Sequence, residues 1–117
     1  VVGEHGAAAV TLKQERAAKK RLEKRLDDEW SRAIKERDGY TCQKCGAEYA
    51  KGSRGLHAAH IFSKGAHPST RHDLENGTAL CMRDHLYWAH YEPVEFYDWI
   101  LRRMGKKRLD ALRRRAN

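Results

Sequence analysis

Leu22, Leu26, Trp30 and Ile34 recur every four residues in a stretch otherwise dominated by Lys, Arg, Glu, Asp and Ala. That spacing predicts one apolar stripe on a long amphipathic helix. Thr11-x-x-Gln14 opens it as a capping box, in which each side chain satisfies an exposed backbone N–H at the other's position. No glycine or proline interrupts residues 11–37, and Asp38-Gly39 stops the helix. The pattern then shortens. Residues 40–46 form a tight knuckle around two cysteines, and Gly52, Ser53 and Gly55 mark a turn. Residues 56–62 read as one short strand and residues 78–80 as another.

Between the strands, residues 63–77 are rich in Gly, Pro, Ser, Thr, Asn and charge. They predict a surface loop long enough to carry function, closed by the turn pair Asn76-Gly77. A helix is expected over residues 81–91, with Cys81 and His85 one turn apart on one side and Leu86, with Trp88 or Ala89, packing inward. Pro93 suits the first turn of a further helix with Phe96, Ile100 and Met104 as its stripe, and Gly105 bends or ends it. The tail carries Arg102, Arg103, Lys106, Lys107, Arg108, Arg113, Arg114 and Arg115 around a single acid, Asp110, as either a basic helix or a disordered arm. The fold class expected is α+β and mostly helical. It is one domain made of a disordered leader (1–10), a basic helix (11–39), a core (40–91) and a C-terminal helix with basic tail (92–117).

Charged residues make up 34% of the chain, so the apolar core is small and a metal clip would help it fold. Lys and Arg number 24 against 16 Asp and Glu, a net charge of +8, which makes a polyanion the expected partner and nucleic acid the first of these. Three cysteines cannot all pair within one chain, and Cys42-x-x-Cys45 is too tight for an ordinary structural bridge. Metal ligation in a reducing compartment, the cytoplasm, is the expectation. No stretch approaches the roughly 20 apolar residues of a membrane helix, and residues 1–6 lack the features of a signal peptide.

Cys42 and Cys45 reach one tetrahedral ion from a turn, and Cys81 offers a third thiolate from across the fold. Asp84 and His85 both lie where a fourth ligand is needed. The histidines suggest separate chemistry. His60 sits where a strand enters the loop, Asn76 ends the loop, and His85 lies on the following helix. Strand, loop, strand and helix bring these three together, where a neutral imidazole can take a proton from water near pH 7. His5, His67 and His72 read as ordinary surface or internally satisfied residues.

His60, Asn76 and His85, sixteen and nine residues apart, together with the texts Leu56-His57-Ala58-Ala59-His60-Ile61 and Leu80-Cys81-Met82-Arg83-Asp84-His85, resemble the HNH endonucleases. These are the nucleases of the ββα-metal, or His-Me finger, fold. The chain looks most like the small phage and bacterial members that wrap the finger in a zinc ribbon, over about residues 30–99. The resemblance implies a ββα-metal finger with a two-stranded antiparallel ribbon, stapled by one structural Zn²⁺. It implies that His60 is the general base, that Asn76 fixes the loop and orients His60 or binds the metal, and that His85 ligates a catalytic Mg²⁺ or Mn²⁺. In the family the histidine directly follows the last ribbon cysteine, so the zinc set here becomes Cys42, Cys45, Cys81 and Asp84. Many relatives carry a ligand just before the base, where this chain has Ala59; His57 or His90 would substitute for it.

Arg71 and Lys64, on the loop beside His60, are candidates for the scissile phosphate, and the basic tail is the favoured grip on DNA, expected to be double-stranded. The activity implied is metal-dependent nicking or cleavage of DNA phosphodiesters, with double-strand breaks requiring a homodimer. Two rivals stand beside it: a catalytically inactive zinc-containing DNA-binding module, and an interaction subunit of a phage packaging or recombination assembly.

Overall fold

The computed structural model describes residues 10–117, and the expected leader falls outside them except for Val10. Helix α1 (Leu12–Arg37) begins at the capping box, with the Thr11 and Gln14 side chains accepting from each other's backbone N–H at 3.1 and 2.8 Å. Its C-terminal end carries the packing. Trp30 and Ile34 are buried, whereas Leu22 and Leu26 are 55% and 39% exposed, so half of the expected stripe stays outside the core. Length explains this: 26 helical residues run about 39 Å, whereas a five-residue strand spans about 17 Å. The first half of α1 therefore overshoots the sheet as an arm.

The end of α1 is pinned to the second strand. Arg37 donates to the carbonyls of Leu74 and Gly77 at 2.7 Å each, and Asp38 accepts from the Ala79 N–H at 2.8 Å. Beyond it the chain turns through Tyr40 into a knuckle closed by Cys42 N–H to Ala47 O and Tyr49 N–H to Tyr40 O. Gly46, at φ 80°, supplies the left-handed residue that this turn requires.

Strands β1 (Leu56–His60) and β2 (Gly77–Cys81) pair antiparallel, with Leu56 opposite Cys81 and His60 opposite Gly77. Strand β1 ends two residues earlier than its sequence predicts, because the Ile61 and Phe62 N–H groups bond to Asn76 rather than to a strand. Strand β2 is longer than expected by a residue at each end and buried throughout. Gly77 is needed there for space: a Cβ would lie 2.5 Å from the Trp30 ring and 2.8 Å from Ile34. Its bare backbone lets α1 sit directly on the sheet.

The loop that follows β1 is not all surface. It contains two short 3₁₀ turns (Pro68–Thr70 and Leu74–Asn76), and Thr70 and Asn76 are completely buried. The expected helix after β2 also differs, since Cys81 closes the strand and the residues Asp84–Ala89 wind as a π helix. Helices α2 (Pro93–Met104) and α3 (Lys106–Ala116) complete the chain, divided at Gly105. Phe96 and Ile100 of α2 and Leu109 and Leu112 of α3 close the core over Leu56, Ala59, Ala79 and Leu80. The tail is thus a folded helix. Arg108 and Arg115 pair with Glu75 and Asp73 at 2.9 and 2.7 Å, binding α3 to the loop. Among the described residues, no helix is long and apolar enough to cross a membrane.

Candidate functional site: a thiol cluster and a histidine cleft

The knuckle, the end of β2 and the first turn of the π helix deliver Cys42, Cys45, Cys81 and Asp84 to one point, their ligand atoms all within 4.8 Å of one another. Cys45 Sγ lies 4.0 Å from Cys81 Sγ, and Cys42 Sγ lies 3.3 Å from Asp84 Oδ2. Four ligands at about 2.0–2.3 Å around a tetrahedral centre would be separated by about 3.3–3.8 Å, so the set already has the size of a metal site. Two backbone donors support it: the Cys45 N–H points at Cys42 Sγ and the Asp84 N–H at Cys81 Sγ, at 3.5 and 3.4 Å. Such bonds favour the thiolate form.

Burial pushes the Cys81 thiol up to about 11, against the lowering effect of the Asp84 N–H. Burial also works to raise the Asp84 carboxyl, yet hydrogen bonds from the Cys42, Cys81 and Cys45 thiols outweigh it and hold the group below its ordinary value. A buried carboxylate among three thiols is costly without a cation, and a metal ion is the natural counter-charge. The four residues can hold one.

His60, His85 and His90 line a cleft of about 700 Å³. Its walls come from α1 through Asp27, Asp28, Trp30 and Ser31, and from α2 through Pro93, Phe96 and Tyr97; Lys64 lies on the rim beside His60. His60 Nε2 lies 2.9 Å from the Arg71 carbonyl. A carbonyl only accepts, so Nε2 carries the proton and the lone pair of the neutral ring is on Nδ1. Burial lowers the His60 pKa, opposed by that carbonyl and assisted by Lys64. The ring is therefore neutral at pH 7.

His85 is pushed down to about 4, chiefly by burial and then by His90, His57 and His60. Its Nδ1 lies 3.0 Å from His57 Nδ1, and its ring centroid 4.8 Å from that of His90. His57 touches the cleft through His85 and does not line it. Among the described residues the imidazoles do not gather as tightly as the thiol cluster, which is the one group of three or more such donors within 4.8 Å.

Asn76 holds the loop from inside. Its amide donates to the Phe62 and Thr70 carbonyls at 2.9 and 3.0 Å and accepts from the Phe62 N–H at 2.8 Å. The Arg71 guanidinium grips Asp27 of the cleft wall at 2.6 and 2.8 Å and Glu23 at 3.2 Å. His72 shares Asp27 at 2.8 Å, and His67 bonds the Ala116 carbonyl at 3.2 Å. His5 falls outside the described residues. The sequence reading passed over Asp27, which stands out only as an acid within a basic stretch, and counted Trp30 only as core.

Fold and side chains together define a small α+β protein with one closed, metal-competent cluster and one open cleft lined by histidines. No protein-family model, no curated protein and no solved structure matches the chain.

Proposed function

We propose that the chain is a metal-dependent endonuclease of the HNH type, which hydrolyses DNA phosphodiesters with His60 as general base. The observation that carries this reading is the tie from His60 Nε2 to the Arg71 carbonyl, in a cleft the ring shares with His85. It leaves Nδ1 as the proton acceptor on a ring that burial keeps neutral. In this reading His60 takes a proton from water, the water oxygen attacks phosphorus, and the P–O3′ bond breaks. The ends are a 5′-phosphate and a 3′-hydroxyl, as in the family the motif resembles. Asn76 clamps both ends of the loop and so fixes where His60 points.

The thiol cluster fits Zn²⁺ in ligand softness and size, with Cys42, Cys45, Cys81 and Asp84 as the holders. His57 and His85 would hold the catalytic ion: their Nδ1 atoms, 3.0 Å apart, match the edge between adjacent nitrogen ligands at about 2.1 Å. His90 lies next to them. The ion would supply positive charge to the phosphate and leaving oxygen. Nitrogen donors suit a transition-metal ion better than Mg²⁺, so Mn²⁺ should support activity better.

Both the arm of α1 and the tail can grip DNA. Lys13, Lys19, Lys20 and Arg21 of the arm have no acidic partner among the described residues, and neither do Arg103, Lys107, Arg113 and Arg114 of the tail, whereas Lys24, Arg102, Lys106, Arg108 and Arg115 each have one. Lys64 is the phosphate contact nearest the base. Ala59, only 1% exposed and unable to ligate, favours one alternative: a zinc-containing DNA-binding module without catalysis. Supercoiled plasmid separates the two. The parent should nick it with Mn²⁺ and not with EDTA, and His60→Ala should lose about 10²–10⁴-fold in rate while still binding DNA. Parental nicking by that variant would remove His60 as base, and a parent that binds without nicking would establish the module.

A further inference from the structure

We infer that helix α1, which lies outside the ββα unit, sets the orientation and tautomer of His60 through two positioning residues, Asp27 and Trp30. The inference rests on the nuclease reading for its rate effect, but its structural content concerns the imidazole alone.

The Trp30 ring stacks on the His60 ring with centroids 4.0 Å apart and planes 9° from parallel. Its indole N–H donates to the Asp73 carbonyl at 2.9 Å, which locks the plane against which the imidazole lies. The stack is possible because Gly77, directly opposite His60 in the sheet, has no Cβ to hold α1 away. One turn earlier, Asp27 receives two hydrogen bonds from the Arg71 guanidinium and one from His72. Those bonds fix the backbone of residues 71 and 72, and the Arg71 carbonyl is the acceptor that captures His60 Nε2–H. Asp27 thereby acts on His60 through the Arg71 peptide without touching it, while Trp30 fixes the ring's plane. An Arg71 side chain committed to Asp27 and Glu23 is a strut of the base; the nearby cation left to meet a phosphate is Lys64.

The principal variant is Asp27→Asn, which keeps the volume and removes the charge that holds Arg71 and His72; Asp27→Glu is the conservative rescue. Nitrogen-15 NMR of His60 in the full chain should show the Nε2–H tautomer in the parent and a mixture with Nδ1–H in Asp27→Asn. Plasmid nicking should fall in kcat by roughly ten- to a hundredfold with KM little changed, and Asp27→Glu should recover most of it. Trp30→Phe keeps a stacking ring and removes the tie to Asp73, and should broaden the His60 ring resonances. The charges facing His60 are Asp27, Arg71 and Lys64, with His72 behind Asp27. A Lys64→Gln control should therefore raise the His60 pKa without altering its tautomer. If Asp27→Asn leaves the tautomer as in the parent, the inference is overturned, whatever the nicking rate does. If the parent binds DNA without nicking it while the tautomer does shift in Asp27→Asn, the nuclease reading fails and the positioning role stands.

Discussion

The thiol cluster and the histidine cleft depart from the same short segment, Cys81 to His85, yet they are built in opposite ways. In the cluster, three sulfurs and a carboxylate crowd within 4.8 Å, with Cys42, Cys81 and Asp84 buried. In the cleft, His85 meets His57 at 3.0 Å and otherwise borders a space of about 700 Å³. A full ligand set leaves no position for a substrate and contributes to folding; an incomplete set beside open volume can do chemistry. Neighbouring residues serve both: Asp84 turns back to the cysteines while His85 turns to the cleft.

That contrast breaks most visibly at the cluster. If the cluster holds a structural zinc, a strong chelator, or replacing Cys81 with Ser, should unfold much of the chain, since such sites contribute about 10–16 kcal/mol in zinc-finger peptides. Circular dichroism and metal content before and after chelation check this. A metal-free chain with an unchanged melting curve would reduce the cluster to buried thiols. Gly77→Ala should act on the cleft and spare the cluster. Its Cβ would displace Trp30 and Ile34, at a cost of about 1–3 kcal/mol. A lower Tm with weakened nicking and intact metal content is the expected result.

The smallest effect is that of pH. Burial holds His85 at about 4 and His60 below its usual value, so the unfolded chain binds protons more readily than the folded one between about pH 4 and 6.5. In the chain without a catalytic ion, stability should be complete above about pH 6.5 and decline as pH falls toward 4. Melts across that range read the slope. Nicking should have its acidic limb centred below pH 6.5, and a midpoint at or above that value would contradict a desolvated base.

The closed cluster was legible because its ligands are local signals: a C-x-x-C on a turn, then Cys81 and Asp84 three residues apart. The choice of Asp84 over His85 needed a family resemblance before coordinates put Asp84 beside Cys42. The capping box, the turn at Asp38-Gly39 and the stripe of α2 were legible for the same local reason. The split stripe of α1 was not, because periodicity states which face is apolar and not how far a partner extends. The tail was ambiguous too, since charge alone does not distinguish a loose arm from a helix tied down by Arg108 to Glu75 and Arg115 to Asp73.

Local spacing and composition by themselves determined helices α1 and α2, the two strands, the cysteine set and the candidate histidines, because each depends on residues within a few positions of one another or on a residue's own chemistry. Tertiary structure decided what those histidines face. Trp30 over His60, Asp27 on Arg71, and His57 against His85 are meetings of residues 28 to 44 positions apart, and the first of them needs the bare backbone of Gly77, which lets Trp30 approach the sheet. Such contacts arise from shape and close packing, which a one-dimensional pattern does not carry.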